Sequence, residues 1–358
     1  MTRSPGEMVV ADVPEPDVPG PGSVKTGNVI VRPEAVGICG SDFHLFSGDV
    51  DALSGIRDFY PRIQGHEVSA IVEESGERVA IHPLLPCGGC YPCRHNRPNV
   101  CVNFRLIGVH TDGGLQEYLT VPAEAAFAVG DLDPDCTAFV ETASVAVHAL
   151  ARGRLAPGEQ VVVFGAGPIG LAAVVAAADA GARVLSIDPV AARRDLARRL
   201  GAEEAIWAGR AGSIQESIRE SIQEPIRERI ALVRDWTGGD GPALVVEASG
   251  ETSILSQAVE MVSAAGRVVM VGMSSGIAPL RPGVFPEKEI DVIGSSCATA
   301  DDFRTAARLV SKHKTALAEL FTHHFPLTRA VEAFEFAMSR PPDAIKVIVT
   351  VNLEGGDE

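Results

Sequence analysis

The stretch EQVVVFGAGPIGLAAVVAAADAGARVLSID, from Glu159 to Asp188, restricts the fold more than any other part of the chain. Val161 to Phe164 is a β-branched and aromatic run that predicts a buried strand. Gly165, Gly167 and Gly170 with Pro168 predict a turn, the alanine-rich run after Ile169 a helix, and Val184 to Ile187 a second strand. Val161 to Ala178 carries no charge over 18 positions, about the shortest length for a membrane span. The glycines and proline break its first half, so strand, turn and helix is the reading and no membrane is expected as a partner. A G-x-G-x-x-G run in that setting suits a dinucleotide. Gly165 permits the tight turn, Gly167 lets the backbone approach a pyrophosphate, and Gly170 lets helix pack on strand. The helix start at Pro168 and Ile169 then faces the anion. Asp188, which ends the second strand 18 residues after Gly170, can accept hydrogen bonds from ribose hydroxyls and repel a 2′-phosphate. NAD is therefore expected over NADP, with Arg193 close enough to blur the preference.

Further strands are predicted at EEAIWA, ALVVEAS, RVVMVGM and IDVIGSS, separated by helix-like stretches. Together they make an α/β, doubly wound parallel sheet. Ligands bind beyond the carboxyl ends of such strands, which places Ala248, Val271 to Met273 and Ser295 along the cofactor cleft. At 358 residues the chain exceeds what one core usually supports, so two domains are expected.

Four of the seven cysteines fall in CGGCYPCRHNRPNVC, at Cys87, Cys90, Cys93 and Cys101. In a reducing compartment such a cluster holds a metal more often than a disulfide. Four thiolates closing a tetrahedron suit a structural zinc, with an iron–sulfur cluster as the rival. Upstream, GICGSDFH and QGHE supply Cys39, His66 and Glu67. A thiolate, an imidazole and a carboxylate with a vacancy are what a catalytic zinc requires. Asp42 is the candidate carboxylate to orient His66.

Acidic residues outnumber basic ones 47 to 31, for a formal charge of −16. No basic stripe stands out, so nucleic acid is not an expected partner. The first residues contain no apolar core of a secretory signal, and a cytoplasmic location is expected.

GICGSD, GHE, the four-cysteine loop, GGLQEY and GAGPIG follow in this order. With them the chain resembles a zinc-dependent medium-chain alcohol dehydrogenase, nearest to the sorbitol and polyol branch, from about Pro14 to Val351. The resemblance implies a GroES-like, mostly β catalytic domain (residues 1–144 and 297–358) interrupted by a Rossmann NAD-binding domain (145–296), with the substrate between them. It implies one catalytic and one structural zinc per chain. Cys39 and His66 would hold the first, with Glu67 or Glu141 as the third ligand or a water-linked contact. Liver-type members have a cysteine near the Glu141 position, and its lack here favours the polyol branch. Ser41 and His44 match the family's proton relay from the substrate hydroxyl through the cofactor ribose to water. The implied activity is oxidation of a secondary hydroxyl of a polyol, cyclitol or sugar derivative with NAD, in a homotetramer or homodimer. An amino-alcohol such as threonine or an aminocyclitol is the alternative substrate, and a catalytically silent nucleotide-binding relative is the reading from another class.

Three features depart from the family pattern. The chain lacks the usual opening strand before PGEMVV, with a few extra residues in PGSVKTGNVIV. The hairpin VSAIVEESGERVAIHP is short. SIQESIRESIQEPIRE, Ser213 to Glu228, repeats isoleucine every four residues, which predicts a surface helix with an apolar stripe or a subunit contact. Pro225 is expected to interrupt it.

Overall fold

The computed structural model describes residues 1–15, 27–48, 60–208, 223–274 and 276–351. The chain folds into two compact units, Met1–Ser144 with Cys297–Glu358, and Val145–Ser296.

The second unit is a six-stranded parallel sheet. Its spatial order is Glu204–Ile206, Arg183–Ile187, Gln160–Phe164, Leu244–Glu247, Arg267–Met270 and Asp291–Gly294. From Gln160–Phe164 the next two strands in the chain run outward on one side and the last three on the other. This reversal makes the carboxyl end of Gln160–Phe164 a topological switch point. Val162, Phe164, Leu185, Val245 and Val268 pack in one core with Ile230, Val233, Ile254 and Val259 of the helices. Strands buried on both faces read as continuous apolar runs, which is why QVVVF and LVVE carry no alternation. Helix Pro168–Asp179 follows the glycine turn, with Gly167 as its N-cap and Pro168 at its first position. No helix among the described residues is long and apolar enough to cross a membrane.

The first unit is built on a mostly antiparallel seven-stranded sheet. Phe321–Pro326 pairs Lys346–Thr350 in parallel. The order then continues through Asn28–Gly37, Glu67–Val72, Arg78–Ile81 and Ala126–Ala128, all antiparallel, and Leu119–Pro122 also pairs Asn28–Gly37. Val31, Val36, Val68, Ile81, Val121, Phe334 and Val349 form its core.

One expectation needs correction. A short opening strand does exist: Thr2–Ser4 turns back at Gly6 onto Glu7–Met8. Thr2 also exchanges backbone hydrogen bonds with Arg62, at 2.8 and 2.9 Å. Three residues before a turn carry too little periodicity to read, so the strand has no signal of its own in the sequence. Helix Gln223–Trp236 contains Pro225, and the part of the repeat ahead of it, where an interruption would show, lies outside the described residues. Residues 213–222 of the repeat and 21–26 of the earlier insertion lie outside the described residues. The short hairpin is formed by Glu67–Val72 and Arg78–Ile81.

Candidate active site and metal centres

Strand Asn28–Gly37 delivers Cys39 to the start of helix Gly40–Ser47, where it is the N-cap in an extended conformation. Its N–H donates to Asp42 Oδ2 at 3.0 Å, so one backbone group fixes both the thiol and the carboxylate that follows it. His66 and Glu67 lie where the next strand begins. GGLQEY clamps the segment in front of them: Gly113, Gly114 and Leu115 donate to the carbonyls of Ile63, Gly65 and Gln64 at 2.8, 2.9 and 3.1 Å. The register then places Glu67 opposite Gly37. A Cβ on Gly37 would lie 2.0 Å from Glu67 Oε2, so glycine there is a condition for the carboxylate's position.

The ligand atoms of Cys39, His66 and Glu67 all lie within 4.8 Å of one another. Ser41 Oγ sits between two of them, 3.3 Å from Cys39 Sγ and 3.3 Å from His66 Nε2. On the other side of the imidazole, Nδ1 is 3.4 Å from Asp42 Oδ1. That is an ion-pair distance without hydrogen-bond alignment, and Nδ1 is a buried atom lacking such a bond. Gln64 Nε2 donates to the Asp42 carbonyl at 2.9 Å and accepts support at Oε1 from Thr2 Oγ1 at 2.5 Å. The opening strand thus buttresses the residue that buttresses His66.

Glu67 is 1% exposed and faces Lys346, also 1% exposed, whose Nζ lies 2.6 Å from Oε1 and closer still to Oε2. Burial opposes the charge of Lys346, but Glu67, Cys39 and Glu141 outweigh it and hold the ammonium above its ordinary range. Burial likewise opposes charge on His66, and Asp42 and Cys39 outweigh it, leaving that imidazole well above its usual value. Glu141, on helix Pro134–Arg152, lies within the field of these groups but outside the converging trio. Desolvation pushes its carboxyl up to about 7; His66 and Lys346 pull it down, while Glu67 and Asp42 push it further up. His44 lies in the last turn of helix Gly40–Ser47, where its carbonyl accepts from Ser47 Oγ at 3.3 Å.

The trio fits a catalytic zinc. It offers sulfur, nitrogen and oxygen donors from three residues, with their ligand atoms converging within 4.8 Å, the mixed three-ligand set that leaves a catalytic zinc one open position.

The four thiols form a second group with converging sulfurs. Cys90 Sγ lies 3.4 Å from Cys93 Sγ and 3.6 Å from Cys101 Sγ, and backbone N–H groups of Cys87 and Asn103 each donate to Cys101 Sγ at 3.3 Å. The Gly89 N–H with Cys101 and the Cys90 N–H hold the Cys87 thiol down to about 6, whereas desolvation and the neighbouring Cys90 and Cys101 sulfurs push Cys93 up to about 12. Four sulfurs this close cannot all ionise by themselves, and a dication resolves the conflict. The donor set fits zinc.

In the other unit Gly165 has φ +88° and Gly167 caps the helix, facing open space. Pro168, Ile169 and Gly170 form the first turn beyond it. Asp188 is buried. Its Oδ2 accepts from the Ala166 N–H of the glycine loop at 2.7 Å and its Oδ1 from Val190 at 2.8 Å, which leaves lone pairs on both oxygens. Arg193 lies on helix Ala191–Arg199, and its neighbour Arg194 donates to the Asp188 carbonyl at 2.7 Å. Val271 follows the strand Arg267–Met270 and donates to the Glu247 carbonyl at 2.9 Å; Met273 is 53% exposed beyond it.

Lys346 and Gln64 escaped the sequence reading. Lys346 has a signal in hindsight, a lone cation heading the apolar strand KVIVT, since lysine is almost never fully buried unless paired. Gln64 has none.

Two family models match the chain, "Alcohol dehydrogenase GroES-like domain" over residues 25–131 and "Zinc-binding dehydrogenase" over residues 168–312. L-galactonate-5-dehydrogenase of Escherichia coli (strain K12) is 31% identical over 93% of this chain and 94% of its own. L-threonine 3-dehydrogenase of Pyrococcus abyssi is 31% identical over 91% of each. The crystal structure of the RspB alcohol dehydrogenase from E. coli CFT073, complexed with NADH, superposes with a TM-score of 0.80 at 29% identity, covering 98% of this chain and 97% of that one. The order of motifs, the fold of each unit and these likenesses agree, and the chain belongs to the zinc-dependent medium-chain alcohol dehydrogenase family, in its polyol-like branch.

Proposed function

We propose that the chain is an NAD-dependent dehydrogenase of a secondary hydroxyl on a polyol, cyclitol or sugar-derived acid. The observation that carries this is Ser41 Oγ held 3.3 Å from both Cys39 Sγ and His66 Nε2, a hydroxyl beside the donors of an open metal site. Zinc at Cys39 and His66 would supply the Lewis acidity that polarises the substrate oxygen, and bound NAD the hydride acceptor.

The chain's own residues then have these roles. Ser41 takes the proton of the substrate hydroxyl and His44 passes it onward towards water. Asp42, held by the Cys39 N–H and Gln64, orients His66 through Nδ1. Glu67 and Glu141 are the carboxylates available to the metal, and Cys87, Cys90, Cys93 and Cys101 hold a structural zinc. Gly165, Gly167, Pro168, Ile169 and Gly170 seat the pyrophosphate at the helix start. Asp188 takes the ribose hydroxyls, Arg193 flanks them, and Val271 and Met273 border the cofactor. The division of labour follows the two units, catalytic for 1–144 with 297–358 and NAD-binding for 145–296. A homodimer or homotetramer in the cytoplasm, where its thiols stay reduced, completes the reading.

An amino-alcohol substrate is the second reading, favoured by the cluster of Asp42, Glu67 and Glu141 and by the likeness to a threonine dehydrogenase. NADH formation across polyols, inositols, sugar acids, aminocyclitols and threonine, with NADP in parallel, tests both. A hit on threonine or an aminocyclitol alone would overturn the first.

A further inference from the structure

Thr2 is 0% exposed, although the first residues of a chain are usually loosely held. Its backbone exchanges hydrogen bonds with Arg62, and two residues further on Gln64 turns its amide towards the Thr2 hydroxyl. That amide has one orientation open to it. Its Nε2 lies 2.9 Å from the Asp42 carbonyl oxygen and 3.4 Å from Asp42 Oδ1. Both oxygens are acceptors, so the nitrogen must face them. Oε1 is left to Thr2 Oγ1 at 2.5 Å, and the threonine must donate. Gln64 is 1% exposed, so bulk water has no access to replace that donor.

Asp42, also buried, depends on this arrangement. Its Oδ2 accepts from the Cys39 N–H, and its Oδ1 lies between two nitrogens, 3.4 Å from Gln64 Nε2 and 3.4 Å from His66 Nδ1. The amide therefore bears from one side on the carboxylate oxygen that faces the imidazole from the other. Thr2, Gln64, Asp42 and His66 form one buried chain of polar contacts, and its far end belongs to the converging trio. Without the hydroxyl, Gln64 Oε1 would be a buried acceptor with no donor, and the amide would have to leave Asp42 to find one. We propose that Thr2 is a positioning residue of the catalytic centre: its hydroxyl fixes the Gln64 amide and, through Asp42, the orientation of His66. The inference rests on the zinc reading above and goes beyond it in extending the site to the opening strand. A Thr2 that only packed the hairpin onto the sheet would need its shape and not its hydroxyl.

The test uses the full-length zinc-loaded protein. Thr2→Val keeps the shape of the side chain and removes the donor, whereas Thr2→Ser keeps the donor and removes the methyl group. Zinc release to a chromogenic chelator is followed in the phase that Cys39→Ala abolishes. Thr2→Val should speed that release about tenfold and lower kcat about tenfold with the KM for NAD unchanged, the low end of effects seen when partners of metal ligands are changed. Thr2→Ser should match the unmodified protein in both. Gln64→Leu should act in the same direction by about tenfold to a hundredfold, and adding Thr2→Val to it should change nothing more, because Thr2 acts only through Gln64. A folded Thr2→Val protein with the release rate and kcat of the unmodified one would overturn the proposal, as would a Thr2→Ser protein impaired as much as Thr2→Val. Should Thr2→Val fail to fold, Thr2→Ala takes its place with Thr2→Ser as its control. An unmodified protein without metal at Cys39 and His66 would instead sink the zinc reading, and this inference with it.

Discussion

Two glycines of one motif should fail in different ways when each is replaced by alanine. At Gly170 an added Cβ would stand 1.8 Å from the Gly165 carbonyl oxygen and 2.8 Å from its carbon. The helix or the glycine turn has to give by more than 1 Å, since contacts under 3.0 Å essentially do not occur. Overpacking of that order costs about 1–3 kcal/mol. For a unit the size of Val145–Ser296 this lowers Tm by roughly 3–10 °C, and the same shift deforms the turn that seats the pyrophosphate. At Gly167 the backbone is φ −77°, ψ −177°, open to any residue, and a Cβ would meet nothing within 4 Å. Gly167→Ala should therefore fold at least as stably, by up to about 1 kcal/mol through the entropy of the unfolded chain. The empty space is where a dinucleotide's phosphates would lie, so the methyl group should reduce NADH affinity about tenfold or more, about 1.4 kcal/mol. Thermal unfolding by circular dichroism without cofactor, and NADH titration by fluorescence, read the two effects separately. Gly167→Ala with unchanged NADH affinity would refute the placing of the phosphates, and Gly170→Ala with an unchanged Tm would refute the packing.

Cys93→Ser should lower zinc content by about one ion per chain and lower Tm, because a structural site needs all four donors; iron in the purified protein, or full zinc retention in the variant, would contradict this. Asp188→Ala removes the acceptor for the Ala166 and Val190 N–H groups, a loss of about 1.5–3 kcal/mol per charged hydrogen bond. Its NAD affinity should fall while the NADP to NAD ratio rises, and an unchanged ratio in parallel titrations would count against the ribose assignment. His110 is buried and accepts the Leu106 N–H at Nδ1 at 2.9 Å; burial first, then Arg105 and Arg62, hold it down to about 4. The unfolded chain takes up this proton near pH 6.5 and the folded chain only near 4, so stability should fall as pH drops through that window, by up to about 3 kcal/mol. His110→Gln should flatten the dependence in urea unfolding at about pH 7 and about pH 4.5, and equal slopes in the two proteins would refute it.

What the sequence discloses is what short segments settle alone. The dinucleotide turn runs from strand to helix within a few residues, so Gly165, Gly167 and Gly170 reveal both its shape and its ligand class. The four thiols lie within fifteen residues, and short loops between them are enough to bring their sulfurs together. Asp42 was legible as the partner of His66 because it shares a helix start with Cys39. Parallel strands such as LVVE were visible as uniform apolar runs, a pattern expected where both faces are covered.

The electrostatics of the catalytic cluster belong to a different scale. Lys346 meets Glu67 across 279 positions of sequence, and the pair exists only because Lys346–Thr350 and Glu67–Val72 flank the same strand, Asn28–Gly37, in fixed register. A slip of one residue in either ladder would turn one partner to the opposite face of the sheet. The ion pair therefore reports the register of three strands, and the register reports the pair, since neither charge would be tolerated at about 1% exposure alone. Cys39 and Asp42 share one helix start and His66 stands at the head of the adjoining strand, so short segments place them. The cation paired with Glu67 is a lysine whose sequence neighbours give no hint of it.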